Sequence, residues 1–172
     1  MTARSTVSGG RGLRTVGVVA FLTTLLALPA VARAQTAVVP AFPCAVIFGG
    51  QWTVSAGSEV VVAQRWEAKT RGLVEAFLTA QTTTLSVNGG APLDISGEYA
   101  PTSAAPGGTY FTRVAHDTGI TLGVGERMTF NVVISFSHRV LDGFTLADET
   151  SHQPLFFGPG VAFEFPCEVT GA

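Results

Sequence analysis

The chain has 172 residues, 47% of them hydrophobic, with ten basic and twelve acidic side chains and two cysteines. That balance lacks the positive footprint that nucleic acid or an anionic membrane surface requires, so neither is expected as a partner. No glycine-rich loop opens a helix, and neither a GxSxG elbow nor a HExxH spacing is present, so the familiar phosphate-binding, hydrolase and zinc-protease signatures are missing.

The first residues read as a removable address. Arg4, Arg11 and Arg14 precede the apolar run Val16–Leu28, which is too short to span a bilayer comfortably. Pro29 breaks the run, and Ala32-Arg33-Ala34 supplies the small-x-small pattern that signal peptidase reads. Cleavage is expected after Ala34, making 1–34 a signal peptide and 35–172 one domain, large enough for a proper core. There is no paired Arg-Arg and no cysteine just past the cleavage site, which favours the general secretory route and a product without a lipid anchor. An uncleaved anchor is the alternative. Four of the ten basic residues and none of the twelve acidic ones lie in that segment, so the remainder carries a formal charge of −6. Nothing after Gln35 is apolar over a length that spans a membrane. The sequence therefore predicts a secreted, extracytoplasmic protein.

Two prolines make Gln35–Pro43 an extended lead-in. Cys44, Val46 and Phe48 alternate, which predicts a first strand ended by Gly49-Gly50. Gln51–Val54 reads as a short strand, and Ala56-Gly57-Ser58 as a turn. Val60, Val62, Gln64 and Trp66 then alternate against Val61, Ala63 and Arg65, the mark of an inner strand with two largely apolar faces. From Thr70 to Ala80 the period changes. Leu73, Val74, Phe77 and Leu78 fall on one helical face, Arg71 and Glu75 are spaced to pair, and Thr70 is placed to cap. A strand over 82–87 leads to Asn88-Gly89, a hairpin turn signal, with Leu93 and Ile95 on the returning strand.

Pro101–Gly108 reads as a loop, Tyr110–Ala115 as a strand, and Thr118–Glu126 as a stretch interrupted by three glycines. Met128, Phe130, Val132, Ile134 and Phe136 then alternate without a break, which excludes a helix. Asp142-Gly143 signals another turn. Phe163, Phe165, Cys167 and Val169 share a face of the final strand, Val161–Val169. Both cysteines would thus face one core from terminal strands, and an exported pair is expected to form a Cys44–Cys167 disulfide. Two buried free thiols are the alternative. The fold class predicted is all-β, an antiparallel sandwich of roughly seven to nine strands with one short helix near 70–80.

The runs AGSEVVVAQRWEAKTRGLVEAFLTAQTTTLSVNG and ISFSHRVLDG resemble Ig-like modules of exported bacterial proteins that have no assigned role. The matching residues are framework: the tryptophan strand, the helical turn and the Asp-Gly corner. The resemblance implies an Ig-like sandwich and export, and it carries over no catalytic residue. Antibody-type spacing, with a tryptophan close between two cross-sheet cysteines, is not found here; this disulfide would staple the termini.

Three groups of side chains are candidates for chemistry. His116, His138 and His152 could gather with Asp148 or Glu149 around zinc or copper, but none shows a ligand spacing, so neither a metal nor a cofactor is expected. A secreted hydrolase would need one of these histidines to meet a carboxylate and a serine in a cleft. Trp52, Trp66, Tyr99 and Tyr110 could line a sugar-binding face. Among them, Trp66 beside Arg65, Lys69 and Arg71 is the candidate ligand-binding cluster, while the competing reading puts Trp66 in the core. The function expected is a non-enzymatic binding or structural role towards a protein or polysaccharide partner, presented on the 101–108 loop or the Asp148-Glu149 loop. A secreted hydrolase and a carbohydrate-binding module are the alternatives.

Overall fold

A computed structural model describes residues 35–144 and 156–172. Their strands are β1 (Gln35–Pro40), β2 (Gln51–Val54), β3 (Ser58–Ala68), β4 (Gln81–Val87), β5 (Leu93–Asp94), β6 (Ser103–Ala104), β7 (Tyr110–Leu122), β8 (Arg127–Phe136), β9 (Val140–Leu141), β10 (Phe156–Phe157) and β11 (Ala162–Gly171), with helix α1 (Arg71–Ala80) between β3 and β4. The protein is β-rich, with two principal sheets ordered β1-β3-β7-β6 and β2-β11-β8-β4-β5, and a separate β9–β10 pair.

The alternation in β8 does what its pattern demands. Met128, Phe130, Val132, Ile134 and Phe136 are all buried, and β8 lies at the centre of its sheet, antiparallel to β4 with Leu85 opposite Val132 and to β11 with Cys167 opposite Phe130. Val60 and Val62 of β3 and Val114 and Leu122 of β7 meet that face from the other sheet in one core cluster.

Helix α1 forms where the apolar period predicts. Thr70 caps it, its Oγ1 accepting from the Leu73 amide at 3.4 Å, and Arg71 pairs with Glu75 at 3.4 Å. Val74, Phe77 and Ala80 are buried. An isolated helix of this length is marginal in water, so the buried face supplies its stability.

Several expectations are corrected. Residues 44–48 are not a strand: Pro43–Ile47 is a π-helical turn that buries Cys44 and leaves Val46, Ile47 and Phe48 exposed. Pro40 and Pro43 remove ladder donors there, and the chain must cross from one sheet to the other, so a strand cannot continue. The expected lead-in is instead β1, a parallel edge strand on β3 that stops at Pro40. Because β2 also runs parallel to β11, the sheets are mixed rather than purely antiparallel, and the described strands number eleven. Strand β7 extends past Ala115 to Leu122 through an irregularity opposite Val60, where the Thr118 hydroxyl donates to the Val60 carbonyl at 2.7 Å. Within the expected 101–108 loop, β6 pairs with the start of β7. Asn88 and Gly89 adopt φ of 50° and 69°, the left-handed pair that a tight hairpin needs. The return strand covers only Leu93–Asp94, and buried Ile95 leads into a 3-10 turn, Ser96–Glu98.

The Cys44–Cys167 disulfide is formed, with Cα atoms 5.9 Å apart across a sequence separation of 123. It ties the π-helical crossover to β11. Among the described residues no helix is long and apolar enough to cross a membrane. The expected signal peptide (1–34) and the acidic loop with Asp148, Glu149 and His152 lie outside the described residues.

Candidate ligand-binding cleft

The cleft exists because two strands stop short. Strand β1 covers β3 only as far as Ala63, opposite Pro40, so Gln64–Ala68 has no strand on that side. On the other sheet β2 covers β11 only over Glu168–Gly171. Pro166, which cannot donate to a ladder, occupies the uncovered half of β11. Between these half-open strands lies a cleft of about 670 Å³.

Its first wall is β3 from Ala63 to Glu67. Facing it stand Ile134 and Phe136 of β8 and Phe163 and Phe165 of β11. The crossover contributes Pro40, Phe42 and Pro43. The aromatic rings brace one another: Phe42 meets Phe165 edge-on at 5.9 Å, and Phe136 meets Phe163 at 6.3 Å.

Of the four residues the sequence singled out, the structure brings Trp66 and Arg65 to the cleft and leaves Lys69 and Arg71 outside it. Trp66 is half-buried and stacks on Phe77 of α1, ring centroids 4.6 Å apart and 5° from parallel. It therefore packs against the core, as the competing reading has it, and it also lines the cleft. Strand alternation sends Arg65 to the opposite face from Trp66. The Arg65 guanidinium sits 4.2 Å over the Phe111 ring and 2.7 Å from Glu67, whose other carboxylate oxygen accepts from the Thr109 hydroxyl. Arg65 and Glu67 thus neutralise each other at the cleft rim. Lys69 is exposed past the end of β3, its amide donating to the Asp142 carbonyl at 2.8 Å. Arg71 pairs with Glu75 and reaches the Thr102 carbonyl at 3.5 Å.

The other aromatics are not gathered with Trp66 into one face. Trp52 meets exposed Phe48 edge-on at 5.0 Å. Tyr99 meets the edge of Phe77 at 5.5 Å, and burial pushes its phenol up to about 12, opposed by the Thr83 hydroxyl. Tyr110 opens β7 opposite Ala68.

The two described histidines have separate partners as well. His116 Nδ1 lies 2.9 Å from Glu98 Oε2, while His138 Nδ1 lies 3.1 Å from the Ser137 hydroxyl. Carboxylate and serine thus belong to different histidines. Among the described residues no group of three or more His, Cys, Asp or Glu is placed to hold a metal.

Sequence reasoning passed over Gln64. It occupies an inward position in the row Val60, Val62, Gln64 and is only 6% exposed. Its Nε2 donates to the Arg65 carbonyl at 3.1 Å, while its Oε1 is buried and accepts from no donor among the described residues. A polar residue in an otherwise apolar inward row was the available signal. The phenylalanines of the facing wall were legible as strand residues only, since nothing local says that β2 stops short of them.

The walls can enclose an apolar body, and the Arg65–Glu67 pair at the rim is already satisfied. Comparisons with protein-family models, with curated proteins and with solved structures found no match.

Proposed function

We propose that this chain is an extracytoplasmic, non-enzymatic Ig-like β-sandwich that binds a ligand in the cleft beside Trp66. The observation that carries this reading is the cleft itself: concave, aromatic-walled, and of a volume typical of small-molecule sites. Two facing sheets that share one core support the sandwich. The disulfide and the signal-like N-terminus support export. The separate partners of His116 and His138 and the paired rim charges favour binding over hydrolysis.

A thermal-shift panel on the oxidised protein tests it, with Nile red as a neutral apolar probe alongside divalent metals and cell-wall polysaccharides. A ligand at about a hundred times its dissociation constant stabilises by about 2.7 kcal/mol. Nile red should raise the melting temperature, and Phe42→Asp, which puts a carboxylate on a cleft residue 46% exposed, should remove the shift while leaving circular dichroism unchanged. A response confined to metals or polysaccharides would contradict the proposal.

A further inference from the structure

We infer that the cleft receives a short extended peptide, which adds to the open edge of β3 as a strand and turns alternate apolar side chains inward onto the aromatic walls. The inference rests on the binding reading above and names its ligand class.

The edge is defined residue by residue. In an antiparallel pair, residues alternate between exchanging hydrogen bonds and turning their N–H and C=O the other way. Arg113 stands opposite Arg65, and its carbonyl accepts from the Ala100 amide at 2.8 Å, on the side of β7 that carries β6. Arg65 and Glu67 are therefore the residues whose backbone groups turn away from β7. Strand β1 occupies that side only as far as Ala63. Lys69, the next residue of the same parity, gives its amide to the Asp142 carbonyl. Among the described residues no strand fills the slot between. Gln64 Nε2 donates to the Arg65 carbonyl at 3.1 Å, a side chain standing where a strand donor would.

The cleft meets this slot. Strand alternation sends Gln64 and Trp66 to one face and Ala63, Arg65 and Glu67 to the other, yet all five line the cleft. A cavity that touches five consecutive strand residues runs along their backbone edge. The opposite wall is a poorer template. The Glu168 amide donates to the Gly50 carbonyl at 2.7 Å, on the side of β11 that carries β2. Pro166 shares that parity, so its nitrogen, which has no hydrogen to give, falls on the open side.

The chemistry of the occupant follows. Phe42, Phe136, Phe163 and Phe165 take apolar side chains at its inward positions. On the outer face Arg65 and Glu67 already neutralise each other at 2.7 Å, so the outward positions need no charge. The acidic balance of residues 35–172 disfavours an acidic segment. A hydrocarbon alone would fill the walls and leave the Arg65 and Glu67 backbone groups without a partner, whereas an added strand serves both.

The test uses the oxidised protein loaded with Nile red and the peptide acetyl-TVTVT-amide, whose alternation pins its register. Two analogues are N-methylated, one at both valines and the other at all three threonines. In an added strand one set of amides faces β3 and the other faces solvent. The parent peptide should displace Nile red. One analogue should bind about tenfold more weakly, as the loss of two neutral hydrogen bonds predicts, and the other should match the parent. Equal behaviour of the two analogues, whether both bind like the parent or neither binds, would overturn the inference. If Nile red binds and the parent peptide does not displace it, the peptide class fails and the cleft reading stands. If neither Nile red nor the peptide binds, the cleft reading itself falls.

Discussion

Trp66 and Phe77 lie face to face, 4.6 Å between ring centroids and 5° from parallel. The pair joins the end of β3 to the middle of α1, and it explains why a short helix with a single capping side chain holds against a sheet. Trp66→Ala should therefore cost about 3 kcal/mol or more, as large-to-small changes of packed aromatics do. Trp66→Phe keeps a ring on Phe77 and should cost less than half as much. Urea denaturation of the two variants, compared at their midpoints, checks this. A Trp66→Ala midpoint equal to wild type would place the indole outside the core.

The same pair shows what was legible in the sequence. The helix was readable from Leu73, Val74, Phe77 and Leu78 because the burial period is local, and β8 was readable for the same reason. Position 44–48 was misread because three alternating residues carry little information, while the prolines at 40 and 43 decide the backbone. The cleft was not legible at all. It depends on where β1 and β2 stop against β3 and β11, a matter of register between distant segments. Arg65, Lys69 and Arg71 looked like one cluster only because they are near in sequence; a strand's alternation and the start of a helix send them to separate partners.

The disulfide closes a long loop, so its loss should be severe. On the chain-entropy account a cross-link spanning 123 residues contributes about 4–5 kcal/mol. Replacing Cys44 and Cys167 together by Ala should lower the urea midpoint accordingly. Reducing agent should reproduce the shift in wild type and add nothing to the double variant.

Tyr99 predicts a pH dependence. Its phenol is raised from 10.0 to about 12, first by burial and with the Thr83 hydroxyl opposing. Above pH 10 the unfolded chain releases this proton while the folded protein keeps it, so the unfolded state binds fewer protons and stability falls as pH rises. The stability is fully present below about pH 10 and is lost progressively towards pH 12, by roughly 3 kcal/mol over the whole interval. Tyr99→Phe should flatten this part of the profile. Urea midpoints measured on both sides of pH 10 in the two proteins check the difference.

Two glycines separate backbone strain from packing. Gly143 has φ of 76°, and a Cβ there would stand 2.7 Å from Leu73 Cδ1 and 3.1 Å from Lys69 Cβ. Gly89 has φ of 69° with open space around it. Gly89→Ala should cost about 1 kcal/mol, the conformational penalty alone. Gly143→Ala should cost about 1 kcal/mol more, because the Leu73 side chain must turn aside and Lys69 must shift slightly. Thermal denaturation of both variants measures the gap; equal losses would show that the Gly143 corner is not packed against the helix.

The cleft beside Trp66 is tested most directly by energy transfer from that tryptophan. In a Trp52→Phe background Trp66 is the only tryptophan, and its emission should be quenched by Nile red along a saturable curve with one-to-one stoichiometry. Phe42→Asp should abolish that saturation. Quenching that rises linearly without saturating, or that is the same in the Phe42→Asp protein, would mean that the cleft does not bind.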